Sequence, residues 1–332
     1  MEQAKRSWES GARRVAALMA GASAALAAAA VPAADWPSRP LRMVVPLSAG
    51  SGADIAGRIV ARSLSDALAQ PVVVDNRPGA GGVIGTQIVA RAPADGHTLM
   101  VQSASHASNP ALYRSLPYDS LKDLIDVALL GITPYVMVTQ AGGAFRSVKD
   151  LIAAARAKPG ELAFASAGTG SVTHLAAEQF AQLSGVKMIH VPFKGSPEAI
   201  TDTAAGRVAF YMAPINTAIG LVRENRLGAL GVSTARRAAV LPDVPTLAEL
   251  GIAGYDMTLW FGLWTPAGTP AAVVQRLNSL VARAQQQPEV RDQFARLGID
   301  PAAMSPAEFA KFVRAQIATS RRIVEQAKIE LQ

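Results

Sequence analysis

The chain has 332 residues, half of them apolar, and a formal net charge of +7 at pH 7. Only 5% of the residues are aromatic and the basic residues are scattered, which argues against a nucleic-acid-binding protein built on stacking platforms. Cysteine is absent, so disulfides, thiolate zinc sites and cysteine nucleophiles are excluded.

The first 34 residues have the order of a secretory signal peptide. Arg13 and Arg14 precede an uncharged, alanine-rich stretch over residues 15–31, and small residues at 31–33 provide a cleavage site. An uncleaved membrane anchor is the alternative, but the stretch is short for a span and alanine anchors poorly. We therefore expect an exported, soluble mature protein of roughly 300 residues, enough for two ordinary domains.

From residue 40 onward, short apolar runs typical of buried strands alternate with apolar-periodic segments typical of helices. This alternation predicts an α/β protein with mostly parallel sheets. The predicted strands span residues 41–47, 72–75, 98–102, 127–131, 135–139, 162–165, 188–191, 207–212, 228–233 and 259–264.

One short loop sequence occurs twice. Ser-Ala-Gly-Ser-Gly at 48–52 and Ser-Ala-Gly-Thr-Gly at 166–170 each follow a predicted strand and precede a predicted helix. Small residues let the backbone approach a ligand closely, and the first N–H groups of a helix favour anions. The repeat predicts two α/β lobes around a cleft that holds a small anion from both sides.

The C-terminal helices accompany no second glycine loop, so we assign them to the first lobe. The last of them opens at residues 305–308 with Ser-Pro-Ala-Glu, a capping box with proline at the first helical position. The predicted organisation is a signal peptide over 1–34, a first lobe over 35–133 and 234–332, and a second lobe over 134–233. Two chain crossings between the lobes predict a hinge.

Short motifs run in order along the whole mature chain. They are Trp36 to Asp54, Val73 to Gly82, Ala94 to Leu99, Asn109-Pro110 with Leu112-Tyr113, Leu116 to Asp119, Ala165 to Gly168, His174 to Ala176, His190 to Gly195, Leu241 to Thr246, Trp260 to Gly262 and Pro266 to Pro270. No single motif is decisive, but the ordered set resembles the Bug-type (TctC-like) solute receptors of tripartite tricarboxylate transporters.

The resemblance implies a periplasmic, two-lobed binding protein of the type II fold, with a hinge and a central cleft. It implies capture of a small organic carboxylate and its delivery to the membrane subunits of a tripartite tricarboxylate transporter. An enzymatic activity, a cofactor, a metal and a nucleic-acid partner are not expected, and the chain is expected to be a monomer. In this family the ligand carboxylate is held mainly by backbone N–H groups and water in the two loops, in agreement with the repeat.

The candidate ligand-binding residues lie in and around the two loops. Ser166 and Thr169 are expected to contact the ligand. Asp54 has capping-box spacing from Ser51, which favours a capping role, although water would let it face the cleft. His174, on the first turn of the second helix, either reaches the site or packs and caps. The full set is Ser48, Ala49, Gly50, Ser51, Gly52, Asp54, His106, Ser166, Ala167, Gly168, Thr169, Gly170, His174 and Ala213.

Three positions depart from the family pattern. Leu47 stands where an aromatic residue is usual, and Ser51 replaces a glycine of the first loop. Residues 211–214 lack the acidic or amide residue that is often found there. Because a ligand ammonium group requires an acidic partner, we expect a carboxylate without an amino group.

Two other classes of function stay open at this point. The enzyme alternative is a hydrolase using Ser166 and His174, although no serine lies in a Gly-x-Ser-x-Gly elbow. The glycine-rich segment 79–85 has a spacing that differs from the dinucleotide-binding fingerprint, which disfavours an oxidoreductase. A ligand-sensing receptor for a membrane kinase would use the same fold.

Overall fold

The computed structural model describes residues 36–327 and 329–331, and the residues from Pro37 onward form one compact unit. The predicted signal peptide over 1–34 lies outside the described residues. The described strands are β1 (Leu41–Val45), β2 (Val72–Asn76), β3 (Thr98–Ser103), β4 (Leu124–Gln140), β5 (Ala163–Ser166), β6 (Ile189–Pro192), β7 (Phe210–Pro214), β8 (Leu227–Val232) and β9 (Thr258–Pro266).

Helices connect most of these strands. They are α1 (Gly52–Leu68), α2 (Val83–Ala90), α3 (Ser105–Leu112), α4 (Val148–Ala157), α5 (Val172–Ser184), α6 (Ser196–Ala204), α7 (Ile215–Arg223), α8 (Ala271–Ala284), α9 (Pro288–Arg296) and α10 (Pro306–Ala327). Within the described part of the chain, no helix combines the length and the apolar character that a membrane span requires.

The strands form one mixed sheet in the order β2-β1-β3-β9-β4-β7-β5-β6, with β8 also paired to β4. The predicted parallel pairing occurs at both ends, where β1 pairs with β2 and β3, and β5 pairs with β6 and β7. The pairings of β9 with β3 and β4, and of β4 with β7 and β8, are antiparallel. The sheet is therefore less uniformly parallel than the sequence predicted.

Strand β4 joins two halves of this sheet. Its residues 124–134 pair with β9, and its residues 135–140 pair with β7 and β8. We call the part containing β1, β2, β3 and β9 the first half, and the part containing β5 to β8 the second half. The predicted strands 127–131 and 135–139 are thus two parts of one strand. Pro134 is tolerated because the neighbouring strands change there, so its missing N–H breaks no continuous ladder.

The chain returns to the first half through β9. Before β9, Leu247 donates its amide to the Val232 carbonyl and Met257 donates to Ser233, at 2.9 and 2.8 Å. The segment between β8 and β9 is therefore attached to the second half, whereas the sequence analysis began the returning part of the first lobe at residue 234. The lobe boundaries stay a prediction, and these contacts favour a second crossing close to residue 257.

The C-terminal helix α10 packs its apolar side chains against the sheet. Phe309, Val313 and Ile317 are buried, and the Phe309 ring lies 5.4 Å from that of Trp264 in β9. Near its end, the Gln326 carbonyl accepts a hydrogen bond from the Gln182 side chain of α5 at 3.0 Å. Helix α10 thus contacts both halves.

Candidate functional site

The two repeated loops lie where the halves meet. Loop 48–52 connects β1 to α1, and loop 166–170 connects β5 to α5. Ser51 caps α1 by accepting a hydrogen bond from the Asp54 amide, and Ser171 caps α5 by accepting one from the His174 amide. The sequence repeat therefore corresponds to the same strand, loop and capped helix in each half.

A small cavity lies between the halves at these helix starts. Its volume is about 10 Å³, enough for about one water molecule. The first half lines it with Leu47, Gly52, Ala53, Ser103, Ser105, Leu259 and Phe261, and the second half with Ala167, Ser171, Val172, Thr173, Ser196 and Pro214.

Backbone amides at both helix starts are available to an anion. Gly52, Ala53 and Thr173 stand in the first turns of α1 and α5 and line the cavity. Their amides donate to no group within the described residues. None of the residues lining this cavity has a charged side chain, and five of them carry hydroxyl groups. The cavity thus offers dipoles and neutral donors, which suits a carboxylate.

Only part of the first loop lines the cavity, and other residues of the loop form hydrogen bonds elsewhere. Gly52 lines the cavity, whereas Ala49 and Gly50 are exposed. The Gly50 amide donates to the Asp54 carboxylate at 2.8 Å, so it is already engaged. Ser48 donates its hydroxyl to the Glu198 carboxylate of the second half at 2.8 Å.

The Asp54 side chain stabilises the first turn of α1 and the loop before it. Its buried carboxylate accepts hydrogen bonds from Arg58 and Asn76, both at 2.9 Å, besides the one from Gly50. Burial raises the pKa of Asp54, but these hydrogen bonds and the Arg58 charge outweigh burial and leave the pKa below its ordinary value. The geometry agrees with the capping role that the sequence favoured for Asp54.

In the second loop only Ala167 lines the cavity. The carbonyls of Thr169 and Gly170 accept hydrogen bonds from the hydroxyls of Tyr113 and Ser108, at 2.8 and 3.1 Å. These donors belong to the first half, so this end of the loop joins the two halves directly. The predicted ligand contacts of residues 168–170 stay a prediction.

Ser166 is paired with a histidine other than the predicted one. Its Oγ lies 2.6 Å from Nε2 of His190 and accepts the Gly168 amide at 3.1 Å. His174 stacks on His190 with ring centroids 3.8 Å apart, and its Nε2 lies 3.5 Å from the Glu178 carboxylate. Burial, and then the nearby His174, lower the pKa of His190 to about 3. A general base works best with a pKa near the working pH, so this pair does not favour the hydrolase alternative.

His106 and Ala213 are two further predicted residues outside the cavity lining. His106 is fully buried, with its ring 4.5 Å from that of Trp264 in the first half. Burial lowers the pKa of His106 to about 4. Ala213 lies in β7 opposite Val136, in the core of the second half, and its neighbour Pro214 lines the cavity instead.

Sequence reasoning missed several lining residues. Ser103 is the last residue of β3 and Ser105 begins α3, and β3 is parallel to β1 and adjacent to it. Carboxyl ends of neighbouring parallel strands share one edge of a sheet, so this pair had a usable signal. Ser196 begins α6 directly after Gly195, and a glycine before a helix start is a similar signal in the sequence.

Comparisons with known proteins give consistent relatives. The chain matches the profile of the Tripartite tricarboxylate transporter family receptor, TctC, over residues 56–329. Protein BugT of Bordetella pertussis is 36% identical over 240 residues, 72% of this chain and 74% of that protein. The structure of R. palustris Rpa4515 with adipate has a TM-score of 0.87 and 34% identity, over 90% of this chain and 100% of that chain.

A second solved structure is MatC (Rpa3494) from Rhodopseudomonas palustris with bound malate. It has a TM-score of 0.84 and 31% identity, and the match covers 87% of this chain and 100% of that chain. These likenesses confirm the predicted fold class, that of two-lobed α/β periplasmic binding proteins.

Proposed function

The chain belongs to the tripartite tricarboxylate transporter receptor family, and from this premise we propose that it captures a small organic carboxylate in the periplasm and delivers it to the membrane subunits of such a transporter. The convergence of the Gly52, Ala53 and Thr173 amides on one cavity between the halves carries this proposal. The adipate and malate in the two solved relatives support it, because both are small dicarboxylates.

The chemistry of the site favours an anion such as a carboxylate over a cation. Two helix N-termini offer N–H groups and the positive ends of their dipoles to one group. Ser103, Ser105 and Ser196 add hydroxyl-bearing side chains to the lining of the same cavity. Because no acidic side chain lines the described cavity, an ammonium group on the ligand would be buried without a partner.

Binding requires the halves to separate. Sites for small molecules have volumes of about 300–1,000 Å³, far more than the cavity offers in this conformation. We therefore infer an equilibrium in which the halves open around β4 and β9, admit the carboxylate and close on it.

The first experiment is thermal unfolding of the mature protein against adipate, malate, succinate, tricarballylate, benzoate and aspartate. A ligand at 100 times its Kd adds about 2.7 kcal/mol to the free energy of unfolding, which raises Tm by several degrees. Saturable calorimetric binding, with the acid recovered unchanged by NMR, would support a binding protein. Turnover of the acid would support the enzyme alternative instead.

Delivery needs a separate experiment in cells. Uptake of the bound acid should be lost when the receptor is deleted and restored when it is supplied again. If uptake persists without the receptor while a cellular response to the acid disappears, the sensor alternative is correct.

A further inference from the structure

Tyr113 and Ser108 hold the second loop against the first half from outside the cavity lining. The Tyr113 hydroxyl donates to the Thr169 carbonyl at 2.8 Å, and the Ser108 hydroxyl donates to the Gly170 carbonyl at 3.1 Å. Burial raises the pKa of Tyr113 to about 12, so its hydroxyl is a donor at neutral pH. We call these two hydrogen bonds the clasp.

The backbone around the clasp is packed without spare room. A Cβ on Gly170 would collide with the Tyr113 ring, and a Cβ on Gly81 would collide with the Thr169 carbonyl. Both glycines also have a positive φ, +78° for Gly170 and +60° for Gly81, a backbone conformation that alanine rarely adopts. The loop and the first half therefore meet backbone against ring and backbone against backbone.

The cavity between the halves is smaller than a dicarboxylate in the conformation that contains the clasp. Adipate has ten non-hydrogen atoms, whereas the cavity beside the clasp holds about one water molecule. The Ser105 hydroxyl of the first half accepts the Val172 amide at 3.0 Å, so one N–H at the start of α5 is engaged across the halves in this conformation.

We propose that Tyr113 is a positioning residue that, with Ser108, clasps loop 166–170 in a conformation that excludes the ligand. The two hydrogen bonds of the clasp must then break before a carboxylate can enter the cleft. This inference rests on the proposed binding function. The clasp lowers the fraction of molecules able to admit ligand, and the apparent Kd rises by the inverse of that fraction.

The test is Tyr113→Phe, which removes one donor and keeps the ring. A hydrogen bond of this kind changes an equilibrium by about two- to tenfold. We expect Tyr113→Phe to bind adipate about two- to tenfold more tightly than the wild type, mostly through a faster association rate, although its Tm falls. A merely structural role would lower Tm without tightening binding.

Tyr255→Phe is the matched control. The Tyr255 hydroxyl donates to the Ala176 carbonyl at 2.8 Å, the same distance, and neither residue belongs to the clasp or lines the cavity. We expect this variant to lose thermal stability while its affinity for adipate stays unchanged.

A second measurement needs no ligand. Because the chain has no cysteine, spin labels at Ala67→Cys in α1 and Ala205→Cys after α6, both exposed, report the separation of the halves. Tyr113→Phe should shift the distance distribution of the unliganded protein to longer values, and Tyr255→Phe should not.

The outcomes separate the two proposals. Unchanged or weaker adipate binding by Tyr113→Phe, or a distance distribution identical to that of the wild type, overturns the clasp. If no acid of the panel binds to either protein, the binding function fails, and the label distances alone decide whether the clasp holds the halves together.

Discussion

Ala53 is the second residue of α1, and its side chain is a single methyl group, so its contribution to the site is the backbone N–H. Gly52 likewise offers its backbone N–H, and the Thr173 amide has the corresponding position in α5. The proposed recognition through backbone dipoles needs no basic side chain, and neither loop contains a lysine or arginine. It also makes substitution by proline, which removes one N–H, the sharpest probe of the site.

We predict that Ala53→Pro weakens binding of the cognate carboxylate by about 10- to 100-fold, the effect of losing a hydrogen bond to a charged group. Proline is tolerated in the first turn of a helix, and Pro197 already stands at the second position of α6. Calorimetry checks the change in Kd. Ala272→Pro, at the second position of α8, is the control and should keep wild-type affinity. Equal affinities in the two variants would exclude the Ala53 amide from the site.

His106 predicts a loss of stability in mild acid. In the unfolded chain this histidine takes up a proton below pH 6.5, whereas in the folded protein burial lowers its pKa to about 4. The unfolded state therefore binds more protons between pH 6.5 and pH 4, so stability falls as the pH is lowered through this window, by up to about 3 kcal/mol. Denaturant unfolding of His106→Gln at a series of pH values should show a shallower fall. An unchanged slope would contradict the assignment.

At the scale of the element, α1 and α4 begin in the same way. Ser51 accepts the Asp54 amide and Ser147 accepts the Asp150 amide, each three residues along. The two helices differ in position, since only the start of α1 adjoins the cavity. They therefore form a matched pair for separating helix stability from ligand binding.

We predict that Ser51→Ala and Ser147→Ala each lower the free energy of unfolding by about 1 kcal/mol, because each loses an N-cap. Only Ser51→Ala should also weaken carboxylate binding, since it disorders the α1 amides. Chemical denaturation and calorimetry on both variants check this. Weaker binding by Ser147→Ala, at a helix remote from the cavity, would show that affinity follows global stability instead.

The elements also show how far sequence patterns reach. The apolar runs predicted every strand to within a few residues, because each run must be buried on one face or both. They did not reveal that β4 is continuous through Pro134, since local sequence does not show which neighbours a strand will have. The apolar pattern also did not predict that β9 is antiparallel to its neighbours, because such a pattern indicates burial and not strand direction.

At the scale of the whole molecule, the cavity lies between two halves that are joined by β4 and β9, and α10 contacts both halves. No charged side chain from either half lines the described cavity. For the proposed binding function, we therefore expect selectivity to come from the length and substituents of the ligand rather than from an ion pair.

Malate and aspartate form the test of this selectivity, because they differ by a hydroxyl in place of an ammonium group. We predict that malate binds at least about tenfold more tightly, since hydroxyls can satisfy a ligand hydroxyl but not an ammonium charge. Competition calorimetry measures the ratio. Tighter binding of aspartate would show that an acidic group, such as Glu198 beside Ser48, reaches the ligand in the bound form.

The sequence by itself determined the α/β class, the two glycine loops and the family, because strand burial, helix capping and ordered motifs are local properties. Through the repeat it also singled out Gly52 and Ala167, which line the cavity between the halves. Only the tertiary structure decided that Ser103, Ser105 and Ser196 join them, that Ser166 pairs with His190, and that His106 belongs to a core. These contacts join residues that are far apart in the chain. Which residues meet depends on how the halves are arranged around β4 and β9, and a local sequence pattern does not show that arrangement.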